Sequence, residues 1–154
     1  MMTDSIGVAV IGAGMAGRSH AHAYRTAQTV FGTDAPPVRL VAIADVNTDF
    51  ANHAKDRYGF ERTEGSWQAI ADADDIDAVS IVVANHLHRE IAEALLASGK
   101  HVLCEKPLAS TVEDAEAMVK AADASEPRGS MRFLLSPLPR RERHRPADQD
   151  RSTR

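Results

Sequence analysis

The stretch Val8-Ala9-Val10-Ile11-Gly12-Ala13-Gly14-Met15-Ala16-Gly17 decides the reading of this chain. An apolar, mostly β-branched run breaks into glycines at G-x-G-x-x-G spacing, and a helix-compatible segment follows. In such a turn Gly12 allows the tight exit from a strand, Gly14 lets backbone approach a pyrophosphate, and Gly17 lets helix pack closely on strand. A helix beginning near Ala13 aims unpaired N–H groups and its positive dipole end at phosphates, with Met15 and Ala16 in its first turn. The spacing alone is weak evidence, since methyl-donor-binding folds and plain loops also carry it, so its surroundings have to decide.

Residues 6–11 form a near-continuous apolar run, as expected of a strand buried on both faces of a parallel sheet. Residues 15–28 read as the crossover helix, and 29–37, with Gly32, Asp34 and Pro36-Pro37, as a loop. A second buried strand, 38–44, ends in Asp45. A carboxylate at that tip accepts hydrogen bonds from both adenosine ribose hydroxyls and repels a 2′-phosphate, so Asp45 favours NAD, with NADP as the alternative. Asp45 stands 28 positions after Gly17, where about 20 is typical; the loop over 29–37 accounts for the excess. The competing reading of Asp45 is a cap for the next helix.

That helix spans 48–58 and ends at Gly59. Ser66 caps a short helix through Ala71 with Trp67 and Ile70 on one face, where Trp67 reads as a packing residue. The most apolar strand covers 78–84 and leads into Asn85-His86-Leu87-His88. A helix over 87–98 turns Ile91, Leu95 and Leu96 inward, and a short strand at 101–104 delivers Glu105-Lys106-Pro107. Thr111 with Asp114 makes an acidic capping box for a helix through Ala124. Strand alternating with helix predicts an α/β fold, a Rossmann-type doubly wound parallel sheet with right-handed crossovers. Ligands of such sheets bind at the C-terminal strand edge. The glycine loop, Asp45, residues 85–88 and residues 105–107 all fall there.

A length of 154 residues suits one domain with a real core, and is short for the two that most nucleotide-linked oxidoreductases use. The net charge of −4 hides an asymmetry: acids dominate through Pro127, whereas residues 128–154 hold 8 arginines, no lysine and 3 acids. The single cysteine, Cys104, excludes an internal disulfide, points to the reducing cytoplasm and reads as a small buried hydrophobe. No apolar run approaches the ~20 residues of a membrane span, and no leader pattern is present. The pairs His20/His22 and His86/His88 invite a metal reading. Residues two apart on a helix diverge, however, and no metal site is expected.

Gly12-Ala13-Gly14-Met15-Ala16-Gly17, Asp45, Asn85-His86-Leu87-His88 and above all Gly99-Lys100-His101-Val102-Leu103-Cys104-Glu105-Lys106-Pro107-Leu108-Ala109 resemble the Gfo/Idh/MocA oxidoreductases. The resemblance covers residues 5–124. It implies NAD(P)-dependent oxidation or reduction at a secondary alcohol carbon of a sugar, sugar acid or cyclitol, with a small polyol or sugar as substrate. In that family Lys106 is the motif lysine, which bonds the substrate hydroxyl and helps place the nicotinamide. Asn85, His88 and Glu105 join it as cofactor or substrate contacts, Glu105 holding Lys106 in position. An ammonium beside a developing alkoxide stabilises the charge that accumulates as hydride leaves. One departure is Val83-Ala84, where the family commonly has Thr-Pro before the asparagine.

The pattern stops after about Ser125. Residues 1–126 are expected to form the cofactor domain, without the family's second, substrate-binding domain. Residues 127–154, rich in arginine and proline, have the composition of disorder. Arginine without lysine also fits a GC-rich gene read out of frame from near Gly129, with Met131–Leu135 still imitating a sixth strand. DNA sequencing through this region tests that expectation. Nucleic-acid binding through the arginines is not expected, since no recognition fold accompanies them. The remaining alternatives are a dehydrogenase seen through its cofactor half, and a module that binds dinucleotide without turnover. A sheet surface left bare by a missing second domain predicts association, including a homo-oligomer.

Overall fold

The computed structural model describes residues 5–32 and 36–125. Five parallel strands, β1 (Ile6–Ile11), β2 (Val38–Ala44), β3 (Arg62–Glu64), β4 (Ala78–Ile81) and β5 (His101–Cys104), stand in the order β3-β2-β1-β4-β5. Five α-helices alternate with them: α1 (Met15–Phe31), α2 (Thr48–Tyr58), α3 (Trp67–Asp72), α4 (His88–Ala97) and α5 (Val112–Ala124). The chain moves outward from β1 to β3, then returns to start again on the other side of β1. That reversal opens a crevice between β1 and β4, where such sheets take their ligands.

The core lies in two layers because the helices cover both faces of the sheet. On one face Val10, Leu40 and Ile43 pack with Ala13 of the glycine turn, Ala21 of α1 and Ala54 of α2. On the other, Ala9, Ile11, Val79, Ile81 and Val102 meet Ile70 of α3, Ile91 and Leu95 of α4, and Met118 of α5. Burial on both faces is why these strands read as unbroken apolar runs rather than alternating ones. Between Val8 and Ala9 the register with β2 slips, Val8 pairing with Leu40 and Ala9 with Ala42. Val41 is the extra residue, and it enters the same core layer as its neighbour Ala42.

Two boundaries differ clearly from the sequence reading. The first helix starts at Met15, as the reading of 15–28 has it, but runs on to Phe31 before Gly32 closes it with an N–H bond to the Gln28 carbonyl, so the following loop is shorter. The fourth strand stops at Ile81, and residues 82–84 become part of a groove wall. The edge strand β3 was not anticipated. Its side chains Arg62 and Glu64 are charged, and only backbone pairing with β2 makes it a strand. At the end of the sheet opposite the crevice, Lys100 is buried with its ammonium donating to the Ala73 and Ile76 carbonyls at 2.6 and 3.1 Å. Burial lowers its pKa. Expectations for residues 127–154, the strand at 131–135 included, lie outside the described residues.

Candidate functional site

The register builds the rim. Ile11 pairs with Ala44 on one side and Ile81 on the other, and Ile81 pairs with Cys104. The ladder continues one step further, with N–H to O=C bonds from Gly12 to Ala44, Val82 to Ile11 and Glu105 to Ile81. Gly12, Asp45, Val82 and Glu105 are therefore the first residues past four aligned strand tips. The glycine loop, Asp45 and residues 105–107 leave directly from these tips, and residues 85–88 follow three residues after the third.

At the first tip Gly12 has φ 108°, and a Cβ on it would collide with the Val82 carbonyl oxygen. A Cβ on Gly17 would overlap the Gly12 carbonyl oxygen, so α1 is seated directly on the turn. Gly14 differs from both: a Cβ there would meet nothing within 4 Å. Its flank is open space at the start of α1, whose N-terminus has no side-chain cap and no acid in its first turn. Helices α2, α3 and α5 are capped by Asn47, Ser66 and Thr111. The start of α1 thus keeps the donors and the dipole that suit a phosphate.

Asp45 is half-buried and tied to the glycine loop. Its Oδ2 accepts the Ala13 N–H at 2.7 Å and its Oδ1 accepts the Asn47 N–H at 2.8 Å. Helix α2 has its own cap in Asn47, so the capping alternative for Asp45 fails. A carboxylate has about four lone-pair sites, and the two used here fix its direction while leaving capacity for hydroxyl donors. It faces a groove of about 750 Å³ lined by Gly12, Gly14, Asp45, Phe50, Trp67 and Leu87 among others. Trp67 packs on the core while also forming part of that wall. Arg18 stands over the Phe50 ring at 5.8 Å, with its Nε donating to the Ala13 carbonyl at 3.1 Å.

At the fourth tip Lys106 is exposed and opens on a recess of about 500 Å³ shared with Met15, Ala16, Ser19 and His20 of α1. The Lys106–Pro107 peptide is cis. Glu105 holds the turn as expected, its Oε2 accepting the Lys106 N–H at 2.9 Å. Its Oε1 lies 3.2 Å from Nε2 of His20, whose Nδ1 is 3.1 Å from the Ser80 hydroxyl, itself 2.7 Å from that of Tyr24. The backbone N–H of Lys106 and then His20 hold the Glu105 carboxyl below the usual carboxylate range. Burial pushes the Tyr24 hydroxyl up.

Sequence reading missed this chain of partners and weighed His20 only for metal binding. Ser80 and Glu105 lie 60 and 85 residues from His20, so no local spacing reveals them. Among the described residues no group of three or more metal-ligating side chains converges. His88 departs from expectation as well. It is 1% exposed, with Nδ1 3.1 Å from the carbonyls of both Pro107 and Leu108 and Nε2 3.1 Å from that of Val83. It pins the turn from beneath instead of facing the groove. Asn85 stands half-buried in a single 3-10 turn, Asn85–Leu87. Cys104 is buried, and desolvation pushes its thiol up to about 12. Asp114 does not complete a reciprocal capping box: it receives the Thr111 cap on its N–H and turns its carboxylate to Arg89 at 3.0 Å.

A phosphate-ready helix start, a fixed carboxylate on the neighbouring tip and a cation across the crevice define the NAD-binding Rossmann domain of an oxidoreductase. Residues 6–133 match the family model described as an oxidoreductase family with NAD-binding Rossmann fold, GFO_IDH_MocA. The chain belongs to that family, and the match extends past the Ala124 at which the sequence resemblance was drawn. It is 45% identical over 120 residues to levoglucosan dehydrogenase of Pseudarthrobacter phenanthrenivorans, covering 77% of this chain and 30% of that one. Against inositol 2-dehydrogenase of Salmonella typhimurium it is 34% identical over 113 residues, covering 73% and 32%. The solved levoglucosan dehydrogenase in complex with NADH aligns with TM-score 0.75 and 39% identity, over 79% of this chain and 32% of that one. The myo-inositol 2-dehydrogenase of Lactobacillus plantarum aligns with TM-score 0.70 and 27% identity, over 84% and 36%. The chain spans about a third of the length of these relatives. No helix among the described residues is long and apolar enough to cross a membrane.

Proposed function

We propose that this chain holds the cofactor of an NAD-dependent dehydrogenase acting on a secondary alcohol carbon of a sugar, sugar acid or cyclitol. The observation that supports this reading is that Gly12, Asp45 and Glu105 each follow an aligned strand tip on one rim. The residues fit the cofactor: Gly14 leaves its flank clear, the uncapped start of α1 has donors to offer, and Asp45 is already aimed by Ala13 and Asn47. A bound nicotinamide supplies the hydride acceptor or donor.

In this reading the N–H groups of Gly14 to Gly17 bind the pyrophosphate, the Ala13 N–H being held by Asp45, which accepts from the ribose hydroxyls and repels a 2′-phosphate. Asn85, in the 3-10 turn between the groove residues Ala84 and Leu87, is assigned to the nicotinamide end. Lys106 is the catalytic residue, its ammonium stabilising negative charge on the substrate oxygen. Glu105 directs Lys106, and His88 positions the turn from below. The substrate class follows the relatives, whose names specify levoglucosan, inositol and D-apiose. We assign the cytoplasm as compartment, in keeping with a lone buried Cys104, and leave association to a homo-oligomer as part of the proposal.

A second reading is dinucleotide binding without turnover. Fluorescence titration with NADH and NADPH, followed by an NAD-linked assay on a panel of polyols, tests both. NADH binding at least about tenfold tighter than NADPH is expected. Binding of neither overturns the cofactor assignment. Turnover by this chain alone decides for the dehydrogenase reading, and binding without turnover for the module.

A further inference from the structure

We infer that His20 is a positioning residue for Lys106, acting through Glu105 at the end of an oriented chain Tyr24–Ser80–His20–Glu105. This deepens the proposed function and rests on it only for the reason Lys106 must be aimed.

The polarity of the chain follows from donor and acceptor counting. Ionised Glu105 is acceptor-only, so its Oε1, 3.2 Å from His20 Nε2, requires a proton on that nitrogen. In the neutral ring Nδ1 is then an acceptor, and it takes the Ser80 O–H at 3.1 Å. Ser80, having donated to His20, accepts the Tyr24 O–H at 2.7 Å. One tautomer satisfies every member, and no side-chain polar atom buried in this region lacks a partner. The reverse polarity would set a lone pair of His20 against the carboxylate.

The chain also has firm anchors. Ser80 is fully buried in β4, between Val79 and Ile81, and Tyr24 and His20 both come from α1, the helix seated on the glycine turn. Glu105 is therefore gripped from two directions, by His20 on Oε1 and by the Lys106 backbone on Oε2. The helix that starts at the phosphate cradle thereby sets the direction of the turn carrying the cation. A positioned carboxylate with two fixed donors restricts its neighbour more than one donor does, because buried hydrogen-bonded chains polarise and rigidify one another.

The test uses the 154-residue chain itself, free of nucleotide. Long-range proton–nitrogen NMR reads the His20 tautomer: the Nε2–H form is expected, and the Nδ1–H form overturns the inference. Reductive methylation with carbon-13 formaldehyde then labels the N-terminal amine, Lys55, Lys106 and Lys120 ahead of the buried Lys100, with Lys106→Arg assigning the Lys106 signal. His20→Phe is expected to move the Lys106 signal and leave Lys55 in place. His20→Gln, which keeps an N–H toward Glu105, is expected to restore it. A Lys106 signal indifferent to His20→Phe overturns the inference. Where NADH binds, His20→Phe and Glu105→Ala are each expected to weaken it, the double variant staying within about twofold of Glu105→Ala. Fully additive losses overturn the positioning role. A chain with the expected tautomer and Lys106 shift that takes up no NADH sinks the cofactor reading while supporting this one.

Discussion

Gly14 and Gly17 stand three residues apart in one motif and have opposite surroundings. A side chain on Gly17 would run into the backbone of Gly12, so α1 must lift from β1 to admit it. Gly17→Ala is expected to lose about 3 kcal/mol in urea unfolding, the upper range for overpacking. Gly14→Ala meets no neighbour, so its stability stays within about 1 kcal/mol of wild type. Its added methyl stands where a phosphate approaches, and NADH affinity falls instead. Equal losses of stability in the two variants would contradict this division.

Glu105 gives the rim a pH dependence with a definite sign. A carboxylate whose folded pKa is depressed adds stability above its unfolded pKa and loses it as pH falls through the folded value. Glu105→Gln is therefore less stable than wild type at neutral pH, and the gap closes as pH drops below the ordinary value of 4.5. Urea unfolding across that range checks it, and a gap that widens in acid refutes the ion's role.

At the scale of elements, His88 joins three segments that the sequence keeps apart: α4, the exit from β4 at Val83, and the turn at Pro107 and Leu108. His88→Ala removes the ring that donates to this carbonyl cluster and leaves a cavity beneath the rim. A loss of about 3 kcal/mol is expected, with faster amide hydrogen exchange at residues 105–110 than at β1. Unchanged exchange there would mean that the turn holds itself.

The elements themselves were legible where burial on two faces imposes apolar runs, as in β1 and β2, and where caps are local, as at Ser66 and Gly59. Strand β3 was illegible because an edge strand of charged residues is held by the ladder of its neighbour and not by its own pattern. The site divides in the same way. The glycine spacing and Asp45 read from local sequence, and the Glu105-Lys106-Pro107 turn stands out as a contiguous string through its family resemblance. The partners of His20 and the burial of His88 depend on contacts across the fold that no window of sequence contains.

At the scale of the molecule, ligand binding and folding are linked. A ligand that binds only the folded chain stabilises it by about 2.7 kcal/mol at a hundred times its dissociation constant. The melting temperature is thus expected to climb steadily with NADH, and less with NADPH at equal concentration because of Asp45. A melting curve indifferent to both would deny the groove its ligand. Large apolar side chains also remain on the outside, Val112 at 70% and Val119 at 47% exposure along one side of α5.

The irregularity in β2 gives this sheet room for error. Val41 and Ala42 face the same way, so the strand contains one residue more than its pairing consumes. A chain shortened there by a single position can fall back on an ordinary ladder and still point Asp45 toward Ala13. A second deletion has no such reserve and would turn the carboxylate through the sheet to the opposite layer. The strand that carries Asp45 is therefore also the one that absorbs a change in length, and it can do so once.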